Sequence, residues 1–128
     1  MRVKKWVMAI NTELLKIHMT SEIKTICSNV SYGEYDPDMN MPYAVFNIDD
    51  VNVEDREDKQ LEINVYSDDV KEIESIADGI VNKFKHYKYI NDNFLVFTKV
   101  NTRNSMNDDK SVIKRRRLLI DLYFYDRS

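Results

Sequence analysis

The stretch from Met41 to Phe84 constrains this chain more than any other. Met41-Pro42-Tyr43-Ala44-Val45-Phe46 and Leu61-Glu62-Ile63-Asn64-Val65-Tyr66-Ser67 lead into an amphipathic helix. The two runs are rich in β-branched and aromatic residues and read as strands. In the second, Leu61, Ile63 and Val65 point one way and Glu62, Asn64 and Tyr66 the other, so one face meets a core and the other meets water or a partner. The helix shows Val70, Ile73, Ile76, Ala77, Ile80, Val81 and Phe84 at three- and four-residue spacings. Ser67, Asp68 or Asp69 can cap its start, and Asp69 with Glu72 forms a variant capping box. Lys83, Lys85 and His86 suit the negative end of the helix dipole. Gly79 inside the helix points to close packing against a neighbour.

Before this unit, Val3, Trp6, Ile10, Leu14 and Ile17 make the stripe of a first helix, with Lys4, Lys5, Asn11, Glu13 and Lys16 facing water. Thr20-Ser21 and Ser28-Asn29 break that pattern, and Val30 to Met41 reads as a loop rich in turn formers. The segment between the two strands, from Asp49 to Gln60, is almost wholly polar and reads as a long acidic hairpin loop. After the second helix come a strand from Phe94 to Val100, a polar link over Asn104–Lys110, and a strand from Ile113 to Tyr125. That last strand puts Leu118, Ile120, Leu122 and Phe124 on a core face and Arg115, Arg117, Leu119, Asp121, Tyr123 and Tyr125 on the other. The expected order is α-β-β-α-β-β in a single α+β domain spanning 1–128.

Composition narrows the class. An apolar fraction of 43% and a charged fraction of 32% exclude a disordered chain, and no apolar run is long enough to span a bilayer. The N-terminus continues into a helical pattern, so no cleavable export signal is expected. A lone cysteine, Cys27, builds neither an internal disulfide nor a cysteine zinc site, which suits a reducing compartment.

The raw material for catalysis is thin. His18 and His86 sit in no recognisable motif, and Cys27 lies among Ile26, Ser28 and Val30 with no charge cluster to lower its pKa. The pairs Asp49-Asp50 and Asp108-Asp109 offer oxygen ligands without the spacing of a calcium loop, and two glycines cannot build a phosphate loop. No catalytic residue, cofactor or metal is therefore expected. Charge is segregated within a net −3: Asp49, Asp50, Glu54, Asp55, Glu57 and Asp58 form an acidic stretch, and Lys114-Arg115-Arg116-Arg117 a basic one. Opposite poles invite head-to-tail association. The basic run with Tyr123 and Tyr125 also admits a contact to single-stranded nucleic acid, against which the acidic balance stands.

The order of elements, the Met41–Phe46 strand start, the Leu61–Ser67 strand running into the helix with Ile76-Ala77-Asp78, and the alternating strand Arg117 to Tyr125 together resemble a known family. It is the tail-completion and tail-terminator (head-tail joining) proteins of long-tailed bacteriophages and prophages, and the resemblance covers nearly the whole chain. It implies a four-stranded, mostly antiparallel sheet packed with two helices, and assembly into a ring, commonly a hexamer. Such a ring ends tail-tube growth and presents a surface to the head connector, in a virion made in the bacterial cytoplasm. Its lumen passes DNA without holding it, and an acidic wall serves that end. On this reading Asp49, Asp50, Glu54, Asp55, Glu57, Asp58, Asp108 and Asp109 lie on projecting loops that meet neighbours or the tube, and Arg115 and Arg117 make subunit contacts. The alternative from the residues alone is a small binding module or regulator that holds a protein or single-stranded nucleic acid on its open sheet face.

Overall fold

A computed structural model describes residues 2–34, 39–52, 57–107 and 112–127, with side chains described for 12–34, 39–50, 58–106 and 112–127. Helix α1 (Arg2–Lys24) is followed by strands β1 (Val30–Tyr32), β2 (Tyr43–Asn52) and β3 (Glu57–Ser67), helix α2 (Val70–Phe84), and strands β4 (Lys88–Ile90), β5 (Phe94–Asn107) and β6 (Lys114–Asp126). They form one mixed six-stranded sheet in the order β1-β2-β3-β6-β5-β4. β1 runs parallel to β2, and every other pair is antiparallel.

The expected four-stranded, mostly antiparallel sheet in the order α-β-β-α-β-β is therefore corrected to α-β-β-β-α-β-β-β. The two added strands are three residues each, too short for an alternating pattern to register. β1 lies inside what reads as a loop. It closes at Gly33, whose φ of 86° is open to glycine at little cost and whose N–H donates to the Phe46 carbonyl.

The interior strands also run further than their apolar residues suggest. Asp49 pairs with Gln60 and Asp50 with Lys59, so the acidic segment is largely sheet and not a long loop. Lys59 explains part of this: only 6% exposed, it extends its ammonium to Asp50 at 2.6 Å and lies over the Phe124 ring at 5.4 Å. Likewise Asn104–Asn107, expected as a polar link, pair with Arg117–Lys114.

Both helices pack on one face of the sheet. Leu61, Ile63 and Val65, with Leu118, Ile120, Leu122 and Phe124, form the floor of the core as their alternation requires. α2 covers it with Ile73, Ile76, Ala77, Ile80 and Phe84, while Val70 at its start is 50% exposed. α1 is phased differently from the expected stripe. Leu15, Met19 and Ile23 are fully buried and Ile17 is 63% exposed. The helix also runs through Thr20, whose hydroxyl donates to the Lys16 carbonyl at 2.8 Å. The side chains of Val3, Trp6 and Ile10 lie outside the described residues. Gly79 lets α2 approach the segment after α1, because a Cβ there would stand 3.0 Å from Ile26 Cγ2.

The start of α2 is tied in an indirect form of the capping box. Asp69 accepts from the N–H groups of Lys71 and Glu72, and the Ser67 hydroxyl accepts from Asp69 N–H while donating to Glu72. Asp69→Ala is expected to lower stability by about 1 kcal/mol, measured by urea denaturation. A change below about 0.3 kcal/mol would show that Ser67 and Glu72 hold the helix start without it. Among the described residues no helix is long and apolar enough to cross a membrane.

Candidate interface on the open face of the sheet

Strand alternation sends half the sheet's side chains away from the helices, and cross-strand register arranges them in rows. Tyr43, Tyr66, Arg115 and Met106 make the first row across β2, β3, β6 and β5. The Tyr43 and Tyr66 rings stack at 4.8 Å, and the Arg115 guanidinium sits 5.9 Å from the Tyr66 centroid. Val45, Asn64, Arg117 and Asn104 follow, and then Asn47, Glu62, Leu119 and Thr102. Polar side chains tie these rows together. Arg115 Nε donates to Asn64 Oδ1 at 2.9 Å, Asn64 Nδ2 to Glu62 Oε1 at 3.1 Å, and Arg117 Nε to the same Glu62 oxygen at 2.9 Å.

Carboxylates join the face further along, beside Lys99. Asp49, Gln60, Asp121 and Lys99 form the next row, and Asp58, Tyr123 and Phe97 the one beyond it. Asp58, Lys59, Asp121 and Tyr123 line a shallow hollow of about 200 Å³. Asn101 Nδ2 donates to both oxygens of Asp121 at 3.3 and 3.2 Å. Tyr125 stands edge-on to Phe97 at 6.2 Å, and the Lys88 ammonium lies 5.4 Å from the Phe97 centroid. From Arg115 to Asp121 along β6 is about 20 Å at the usual strand rise. The face thus carries Arg115 and Arg117 with Glu62 toward one end, and Asp49, Asp58 and Asp121 with Lys99 toward the other.

The sequence-derived contact residues distribute as follows. Arg115 and Arg117 lie together on the open face. Asp49 and Asp58 lie at its other end, whereas Asp50 turns to the helix side and meets Lys59. Glu57 pairs with Phe124 through its backbone, with its side chain outside the described residues. Glu54, Asp55, Asp108 and Asp109 also lie outside them. The basic run is split by the alternation. Arg116 shares parity with Leu118, points to the helix side and is 5% exposed.

There Arg116 Nε donates to Glu74 on α2, and Arg103 on β5 bridges Glu74 at 2.6 Å and Asp78 at 2.6 Å. The hydrogen bond from Arg116, joined by the charge of Arg103, holds the Glu74 carboxyl below its usual pKa. Asp78's hydrogen bond raises that of Arg103. Sequence reading missed Arg103, Glu74 and Arg116, although the parity of Arg116 with the apolar positions of β6 carried the signal.

The residues weighed for chemistry lie elsewhere. Cys27 is 1% exposed in the core, and burial pushes its thiol pKa up, as befits a small apolar filler. His18 stacks on Tyr89 at 3.9 Å and shares a short hydrogen bond with the Tyr87 hydroxyl. Burial lowers the His18 pKa and raises that of Tyr87. These contacts, with the Lys83–Glu22 ion pair at 3.4 Å, fasten the second half of α1 to α2 and β4. Among the described residues no group of acidic, histidine or cysteine side chains is placed to hold a metal ion.

No family model and no curated protein matches the chain. Among solved structures it is similar to a chain of the virion of a native gene transfer agent particle, with a TM-score of 0.53 and 8% sequence identity. The match covers 80% of this chain and 83% of that one. At that identity the likeness is one of fold, and the shared fold includes most of both chains.

Proposed function

We propose that this protein is a noncatalytic structural subunit of a phage-type virion, acting as a tail terminator or head-tail joining subunit. The observation that carries the reading is the fold likeness to a gene transfer agent virion chain over most of both molecules. It agrees with the independent sequence resemblance to tail-completion proteins. In this role copies close into a ring, commonly of six, through repeated heterologous contacts, and closure leaves no free subunit end. The ring seats on the tail-tube protein on one side and the head connector on the other, and DNA passes through its lumen without specific binding.

The basic run is divided between the two sheet faces, with Arg116 bonded to Glu74 and Arg117 to Glu62. Among the described residues that division leaves no continuous basic strip along β6 for a nucleic-acid backbone, so the binding-module reading gains no support from it. The test is the solution mass by light scattering over a wide concentration range, with negative-stain microscopy of the largest species. The expected result is a discrete closed oligomer near six subunits. A monomer throughout, also in the presence of tail tubes, would overturn the reading.

A further inference from the structure

The second half of α1 is tied to its surroundings by a polar cluster that takes no part in the core or in the open face. The His18 ring stacks on Tyr89 of β4 at 3.9 Å and stands edge-on to Phe94 of β5 at 6.4 Å. Its Nε2 shares a short hydrogen bond with the hydroxyl of Tyr87, just before β4. One turn on, Glu22 meets Lys83 of α2 at 3.4 Å, and the same ammonium donates to the Thr25 hydroxyl at 2.9 Å. β4 is joined to β5 by three residue pairs, beside which the Thr98 N–H donates to the Tyr87 carbonyl at 3.0 Å. With so short a ladder of its own, β4 depends on the side chains that grip it from α1.

We propose that His18 is a proton-operated clasp between α1 and the outer strand β4, closed while its imidazole is neutral and loosened when the ring takes up a proton. Only a neutral ring offers a nitrogen lone pair to the Tyr87 hydroxyl, which burial and the nearby Glu22 charge keep protonated. The groups facing the ring pull both ways. From α1 Glu22 favours a cation, and from β4 so does the face of Tyr89. From α2 the Lys83 ammonium opposes it, and Lys83 already shares the Glu22 carboxylate. Phe94 brings no charge. Burial is the largest influence, and it holds the His18 pKa below its ordinary value near 6.5. With a lowered histidine pKa, the contact's contribution is complete above that ordinary value and is lost as pH falls through the folded one. α1 keeps Leu15, Met19 and Ile23 in the core, so the strand yields first and the Leu95–Phe97 edge of β5 is uncovered. The clasp is independent of the assembly reading.

The test combines titration with local exchange. Proton NMR follows the imidazoles of His18 and His86 between about pH 8 and about pH 5, with His86→Gln identifying the His18 signals. His18 is expected to titrate below about 6.5. Hydrogen exchange by mass spectrometry then reads the amides of Lys88–Ile90, corrected for intrinsic rate, at the two ends of that range. Their protection is expected to fall severalfold at the acid end in the parent and in His86→Gln. His18→Gln keeps a hydrogen-bonding partner for Tyr87 but takes up no proton. It is expected to show equal protection at both ends, with its folding checked by far-UV circular dichroism. A His18 that titrates at or above the ordinary value would overturn the proposal, because protonation would then fasten the contact. An equal fall in His18→Gln, or a parent whose β4 protection does not change, would also overturn it. If His18→Gln does not fold, the titration and exchange of the parent decide the matter.

Discussion

Truncation of Phe84 to alanine is expected to cost about 3–5 kcal/mol, much of the stability of an ordinary domain. Phe84 is fully buried at the end of α2, where its ring meets Tyr87 edge-on at 5.5 Å. Its carbonyl also accepts the buried Thr98 hydroxyl at 2.7 Å, which fixes the helix end over β5. Little can collapse into the space left, because the neighbours are held by sheet pairing on one side and by the helix on the other. Urea denaturation followed by circular dichroism measures the loss. Ile90→Ala, at a site 52% exposed, serves as the control and is expected to change stability by less than about 0.5 kcal/mol. A loss at Phe84 below about 1 kcal/mol would contradict the packing of α2 on the sheet.

Glu74→Gln is expected to have the next largest effect, because it strips a carboxylate from Arg116, whose side chain is 6% exposed. Breaking a buried ion pair commonly costs about 3–5 kcal/mol. Glu74 is itself 41% exposed, so water compensates part of the loss and about 1–3 kcal/mol is expected. Adding Arg116→Met should recover much of it by removing the charge left behind. A double-mutant cycle with a coupling near zero would refute the pairing.

The same pair predicts a pH dependence. The folded-state pKa of Glu74 is depressed, chiefly by the hydrogen bond from Arg116. Its stabilising contribution is then fully present above the ordinary unfolded carboxylate value near 4.3 and is lost as pH falls through the lower folded value. The stability difference between the parent and Glu74→Gln should therefore shrink below about pH 4.

How much of this was legible beforehand depended on pattern length. α2 spans the predicted residues, and the inward sets of β3 and β6 fall where a two-residue period puts them. α1 was misphased because Leu14, Leu15, Ile17 and Met19 crowd round the helix, so several stripes fit equally well, and packing chose Leu15, Met19 and Ile23. The ends of β2, β3 and β5 are rich in Asp, Asn and Lys, poor strand formers that join the sheet because their neighbours across the ladder are already in place. Of the site, the placement of Arg115 and Arg117 on one face followed from alternation. The alternation of β6 puts Asp121 there too, whereas Asp49 and Asp58 join it only through the extension and register of β2 and β3, which no single strand encodes. Glu74 and Arg103 lie far apart in the chain and could be matched only once α2 was laid across β5.

The brevity of β1 and β4 has a meaning of its own. Each outer strand of the sheet is only three residues long, so β1 covers no more than Ala44–Phe46 of β2 and β4 no more than Leu95–Phe97 of β5. A long bare border of unpaired amides and carbonyls is a template on which copies stack without limit into fibres. Among the described residues, β2 beyond Phe46 and β5 beyond Phe97 have no strand on their outer side. What discourages stacking there is charge, with Asp49 and Asp50 on the one stretch and Lys99 and Arg103 on the other.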